Sequence, residues 1–294
     1  MNGIGQEPGT AEAQEDGRRM TLGAVGLAVG GVARRAGRIL LDGLMPPVCL
    51  GCGCRIDMPG ALCASCWQDV RFIEAPMCPV YGTPFSAPLG AGVMSARAIA
   101  DPPPYARARA AVVYDGLARR LVHRHKFADR QDQSRFMAQW MVRAGTELLA
   151  EADVVVAVPL HWRRFMSRRF NQSAELARHI AAERNLVFRP QALERHKATR
   201  RQLGLNATER DSNVRGAFRV PDGERPMIEG RHIVVVDDVI TTGATVAACS
   251  RALLRAGAAS VDVLAFAYAL KGDEALARAS TQAAPFSPDG ASHI

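Results

Sequence analysis

No apolar run in this 294-residue chain is long enough to cross a bilayer as a helix. The nearest approach, the Gly/Ala/Val/Leu stretch from Thr21 to Ala33, follows Arg18 and Arg19 as the core of a secretory signal does, but Arg34 and Arg35 cut it short. Arg38 to Asp42 continues at helical spacing, which favours an amphipathic helix after a disordered start. Acidic side chains are in deficit, 29 against 37 Lys and Arg, and the net charge of +8 calls for an anionic partner, a nucleic acid or a polyphosphate substrate. There is no internal repeat apart from paired cysteines, and 48% hydrophobic residues can bury a sizeable core in more than one domain. Cysteine is nearly absent outside one segment: six of the seven lie between Cys49 and Cys78. With no membrane span the chain is expected in the cytoplasm, where thiols stay reduced and clustered cysteines mean metal more often than disulfides.

Cys49-Leu-Gly-Cys52-Gly53 and Cys63-Ala-Ser-Cys66-Trp67 are two C-x2-C pairs separated by ten residues. That spacing lets two tight turns present Cys49, Cys52, Cys63 and Cys66 tetrahedrally to one structural Zn2+. A thioredoxin-like redox pair would need βαβ surroundings and no second copy. Cys54 is read as a bystander and Cys249 as a small core residue. Cys78-Pro-Val-Tyr81-Gly82 repeats the frame with Tyr in the second ligand place, and no further cysteine follows to complete a second site.

From Ala111 the pattern changes to strands alternating with helices: Ala111–Tyr114, Asp153–Pro159, Leu186–Phe188, Ile233–Val236 and Val261–Ala267 as strands, Leu117–Phe127 and Ser173–Arg184 as helices. Alternation of this kind gives a parallel α/β sheet. The stretch Ile233-Val-Val-Val236 is β-branched throughout, as in a strand buried on both faces, and it is expected to end at Asp237. A helix from Ala244 to Ala256 follows a loop of Thr241, Thr242, Gly243, Ala244 and Thr245. Such a loop at a helix N-terminus offers N–H groups, hydroxyls and the positive dipole end to a phosphate. Adjacent carboxylates, Asp237 and Asp238, would repel that phosphate and suit sugar hydroxyls or a divalent cation. A simple helix cap at Thr241 explains neither the acid pair nor the loop.

The run Val-Val-Val-Asp237-Asp238-Val-Ile-Thr-Thr-Gly-Ala-Thr245 resembles the ribose-phosphate signature of type I phosphoribosyltransferases, which bind phosphoribosyl pyrophosphate (PRPP) with Mg2+. The wider pattern is similar to the ComF family, associated with DNA uptake: an N-terminal zinc ribbon, then Val158-Pro-Leu-His161, Arg169-Phe-Asn-Gln172, Thr199…Gln202…Leu205, Arg210…Asn213 and Gly216-Ala-Phe218. Many of its members carry a double ribbon, whereas Tyr81, Ser95 and Ala98 stand here where its later cysteines are expected.

The resemblance implies a parallel-sheet type I phosphoribosyltransferase-like domain preceded by a small four-cysteine zinc ribbon. The expected divisions are residues 1–39 as a disordered start and amphipathic helix, 40–105 as a ribbon module with a degenerate second metal site, 106–270 as the transferase-like domain, and 271–294 as a disordered tail. Asp237 and Asp238 would hold the ribose hydroxyls, directly or through magnesium, and the Thr241–Thr245 loop the 5′-phosphate. His161, Arg163 and Arg164, helped by Arg168 and Arg169, would cradle the pyrophosphate, the alternative being a solvated basic face. Lys197 to Arg201 is either a mobile lid or an ordinary surface loop. Two classes follow: a phosphoribosyltransferase acting on an acceptor that the sequence does not name, or a DNA-associated competence or repair accessory that contacts single-stranded DNA or DNA-uptake proteins and keeps a regulatory PRPP site.

Overall fold

The computed structural model describes residues 46–87, 89–90, 92–127, 131–160, 171–196 and 216–270. The expected N-terminal helix, the tail, His161, Arg163, Arg164, Arg168, Arg169 and the Lys197-to-Arg201 segment lie outside them. In chain order the described α-helices and strands are α1 (Ala64–Gln68), α2 (Ala96–Ala100), β1 (Ala108–Val113), α3 (Gly116–Phe127), α4 (Gln131–Ala144), α5 (Thr146–Glu151), β2 (Val154–Ala157), α6 (Gln172–Arg184), β3 (Val187–Phe188), β4 (Glu194–Arg195), β5 (Phe218–Arg219), β6 (His232–Ile240), α7 (Ala244–Arg255) and β7 (Ser260–Tyr268), with a 3-10 helix at Asp222–Met227 before β6. Five strands form a parallel sheet in the order β1-β7-β6-β2-β3, and β4 and β5 make a separate antiparallel pair.

The β-branched run of β6 is buried on both faces, as its composition requires. Ile233 and Val235 enter a cluster with α7 residues Val246, Ala248 and Leu253. Val234 and Val236 enter the opposite cluster with Leu176 and Ile180 of α6 and Met137 and Met141 of α4. Each fully buried valine contributes roughly 1.5–3 kcal/mol of apolar transfer, so this one strand anchors both helical layers. Helix α6 leads from β2 outward to β3 and α7 leads from β6 the other way to β7. The strand order therefore reverses between β2 and β6, the position at which open α/β sheets form their ligand crevice.

Three sequence expectations change. The central strand does not stop at Asp237: β7 continues to pair with it through Ile240↔Tyr268, while β2 ends at Ala157, so the acid pair lies on a strand with one partner lost. The first strand begins at Ala108, because Arg109, only 8% exposed, is accommodated by the Pro79 and Ala108 carbonyls and by Glu147. Helices α4 and α5 fill a stretch to which the sequence reading gave no element.

The sheet does not end in a bare edge at β1. The Ile73 N–H donates to Ala111 O at 3.0 Å and the Val113 N–H to Arg71 O at 2.8 Å, so residues 71–73 lie antiparallel along β1 and cover an edge that would otherwise pair with other chains. Among the described residues no helix is long and apolar enough to cross a membrane.

Candidate functional site

Two tight turns and one short helix bring four cysteines to a point. The Cys49 N–H donates to Cys54 O at 2.7 Å and the Gly53 N–H to Cys49 O at 2.9 Å, closing the first turn, while Cys63 caps α1 and Cys66 follows inside it. The sulfurs of Cys49, Cys52, Cys63 and Cys66 all lie within 4.8 Å of one another, with Cys52 and Cys63 at 3.7 Å. Tetrahedral ligands at about 2.3 Å from zinc would stand about 3.8 Å apart, so the set fits one ion. Its electrostatics point the same way. Burial opposes the Cys49 thiolate, but N–H groups of Cys52, Cys63 and Gly51 outweigh it and hold the thiol at about 6. Burial, then the neighbouring sulfurs, pushes Cys66 up to about 12. A cation bound among these sulfurs would offset the charge of the thiolates that hold it. Cys54 lies outside the set of four and contributes its carbonyl to the turn.

The segment from Cys78 repeats this backbone without the ligands. Its Cys78 N–H donates to Thr83 O at 2.8 Å and its Gly82 N–H to Cys78 O at 2.8 Å, the same two bonds at the same offsets. Ser95 caps α2 as Cys63 caps α1, each accepting from the N–H three residues on. Cys78, Tyr81, Ser95 and Ala98 therefore occupy the places of Cys49, Cys52, Cys63 and Cys66. Only Cys78 of these is a thiol, and its sulfur accepts from the Ser95 hydroxyl at 3.3 Å and the Ser95 N–H at 3.5 Å. A hydrogen bond stands where the first copy has room for a metal.

The acid pair and the Thr loop meet at the carboxyl end of β6. Asp237, 9% exposed, accepts through Oδ1 from the Ser173 hydroxyl at 3.0 Å and from the Asp238 N–H at 2.9 Å. Ser173 sits in the first turn of α6, held there by the Asn171 cap, whose side chain also donates to Val158 O at 3.1 Å. The carboxylate of Asp237 is thus fastened across the crevice, while Asp238 is only half-buried. Beyond Ile240 the chain turns through Thr241 and Thr242 to Gly243, whose φ of +83° in the left-handed region favours glycine. Gly243 is the N-cap of α7 and brings no side chain to the helix end; the Thr242 hydroxyl accepts from the Ala244 N–H at 3.4 Å. Two residues that the sequence reading missed act on this corner. Ser173 is flagged only by the Asn171-Gln172 pair beside it; Arg97, whose guanidinium donates to Thr242 O at 2.9 Å, lies 145 residues away and carries no local signal. His161, Arg163 and Arg164 lie outside the described residues.

A double zinc ribbon domain model matches residues 40–98 and a phosphoribosyl transferase domain model matches residues 191–279. The DNA utilization protein YhgH of Salmonella typhimurium is 36% identical over 208 residues, 69% of this chain and 88% of that protein. Competence protein F of Haemophilus influenzae is 30% identical over 156 residues, 51% of this chain and 67% of that one. The chain belongs to the ComF family. Its parallel α/β sheet and N-terminal cysteine cluster have the phosphoribosyltransferase-like architecture of ComF proteins, with one of the two ribbon copies keeping only Cys78 of its four ligand positions. Among solved structures, the allosteric regulatory enzyme of purine biosynthesis aligns at 23% identity over 49% of this chain and 30% of that one, with a TM-score of 0.32.

Proposed function

We propose that this ComF protein binds PRPP with Mg2+ in the crevice between β2 and β6 and transfers its phosphoribosyl group, while the Cys49, Cys52, Cys63 and Cys66 set holds a structural zinc. The observation that carries the reading is the fastened Asp237 beside the more open Asp238, directly before the left-handed turn at Gly243 that opens α7. Backbone N–H groups of Thr241–Thr245 and the positive end of α7 would receive the 5′-phosphate. Asp238 would meet the ribose hydroxyls, with Asp237 kept in place by Ser173. When bound, magnesium supplies positive charge to the departing pyrophosphate. His161, Arg163 and Arg164 would share that task. The reaction is a displacement at the anomeric carbon: a nucleophile forms a bond to it as the bond to pyrophosphate breaks, and the leaving oxygen takes the electron pair. Calorimetric titration of PRPP with and without Mg2+ tests the binding. Saturable, Mg2+-dependent heat supports it, and no heat in either condition refutes it.

A second reading, contact with single-stranded DNA, draws on the relatives' names and on one surface. Arg119, Arg120 and Arg124 are exposed along α3, and Arg124 is tied to the first ribbon turn by a 2.9 Å bond to Leu50 O. Phosphate contacts release counterions, so filter binding should weaken steeply between low and moderate salt, and Arg119→Ala with Arg120→Ala should flatten that slope. A flat wild-type slope excludes this reading and leaves the transferase reading untouched.

A further inference from the structure

The ligandless ribbon copy touches the candidate phosphate loop. Tyr81, in the place of a zinc ligand, donates its hydroxyl to Asp101 O at 2.7 Å and lies beneath the Arg97 guanidinium, 4.2 Å from ring centre to Cζ. Arg97 is the second residue of α2, the helix capped by Ser95, and the Ser95–Cys78 bonds fix that helix against the turn. From this seat its guanidinium reaches Thr242 O at 2.9 Å. Tyr105, packed edge-on against Tyr81 with centroids 6.2 Å apart, brings its hydroxyl to 3.7 Å from where a Cβ on Gly243 would stand. The turn itself is seated on the sheet: the Ala108 N–H donates to Val80 O at 2.7 Å, and a Cβ on Gly82 would lie 2.2 Å from Ala108 O. A rigid path of named contacts therefore runs from the sheet edge through the metal-free turn to the loop.

We propose that the metal-free ribbon copy is a strut for the Thr241–Thr245 loop, with Arg97 as its positioning residue. In the first copy four thiols converge; in the second, the side chains that replace them hold a cation–π pair whose arginine grips the loop carbonyl. Gripping Thr242 O fixes the peptide that leads into Gly243 and so the direction of the first N–H groups of α7. A loop held before the ligand arrives loses less freedom on binding. The effect on the loop stands by itself, whereas the effect on PRPP rests on the function proposed above.

The test uses the full chain, loaded with zinc, as wild type, Arg97→Ala and Arg97→Lys. Hydrogen–deuterium exchange of the peptide spanning residues 239–247 is followed without ligand, alongside zinc content and calorimetry with Mg2+ and PRPP. Loss of one such bond corresponds to about a tenfold change. We expect Arg97→Ala to speed loop exchange and weaken PRPP by about that factor, with exchange across Cys49–Cys66 and zinc content unchanged. Arg97→Lys, which keeps a donor, should recover part of both. Unchanged loop exchange in Arg97→Ala overturns the strut, as does faster exchange spread evenly through both ribbon copies and the sheet. If exchange rises at the loop alone but wild type ignores PRPP, the strut stands and the PRPP reading falls.

Discussion

Replacing Gly82 by alanine tests the seating of the second ribbon copy on the sheet. Two costs add. The backbone at Gly82 has φ of +64°, where an L side chain loses roughly 1–2 kcal/mol. The new methyl would also stand 2.2 Å from Ala108 O and 3.1 Å from Ala108 C, and because both are backbone atoms of β1 the turn must lift away. Lifting weakens the Ala108-to-Val80 bond and the packing of Tyr81, and one hydrogen bond contributes about 0.5–1.5 kcal/mol. Together with lost packing the expected destabilisation is about 3–4 kcal/mol, against about 1–2 for Gly230→Ala, which has φ of +69° and nothing within 4 Å of its Cβ. Urea unfolding of zinc-loaded protein, with equal slopes for the two variants, reads the difference. Equal midpoints for Gly82→Ala and Gly230→Ala would refute the close approach and, with it, the rigid path to the loop.

Purified protein should carry about one zinc per chain; elemental analysis should find it lost in Cys63→Ser and retained in Cys54→Ser and Cys78→Ser, and two zincs in the wild type would overturn the assignment of a metal-free second copy. Ser173→Ala removes a donor from a nearly buried carboxylate and should cost about 1.5–3 kcal/mol in denaturant unfolding, whereas an unaltered midpoint would mean that Asp237 needs no partner across the crevice. Cys249→Ala, at a fully buried position of α7, should lower stability by about 1–2 kcal/mol through lost packing and leave Mg2+-dependent PRPP heat unchanged.

Where the chain's own periodicity decides a contact, the sequence was enough to read it. Ile233 to Val236 could only be a strand buried on both faces, and the structure sends its side chains alternately into two separate clusters. The C-x2-C spacing likewise brought together the four sulfurs that the fold assembles. Helix α4, by contrast, hides behind Gln131, Asp132, Gln133 and Arg135 at its start; its buried stripe is Met137, Ala138, Met141 and Val142, with Phe136 and Trp140 partly buried beside it. Arg109 reads as a surface cation, and its burial is made tolerable by the Pro79 carbonyl that the docked turn brings near, by the Ala108 carbonyl and by the Glu147 carboxylate. The hold of Arg97 on Thr242 belongs to the same class: spacing shows the repeated Cys78-to-Gly82 frame, but not that the helix beside that turn sets an arginine against a loop 145 residues on.

The central claim is that the corner between β6 and α7 binds PRPP through Mg2+, and calorimetry of wild type against Asp238→Asn tests it most directly. Asparagine keeps the shape and removes the charge. With Asp237 engaged by Ser173 and the Asp238 N–H, the more open Asp238 is the carboxylate proposed to meet the ribose hydroxyls, directly or through magnesium. The account predicts Mg2+-dependent binding that weakens by about 10- to 100-fold in Asp238→Asn, as expected for loss of a charged hydrogen-bonding partner, with the unfolding midpoint unchanged. Wild-type affinity in Asp238→Asn, or wild-type binding indifferent to Mg2+, would contradict it.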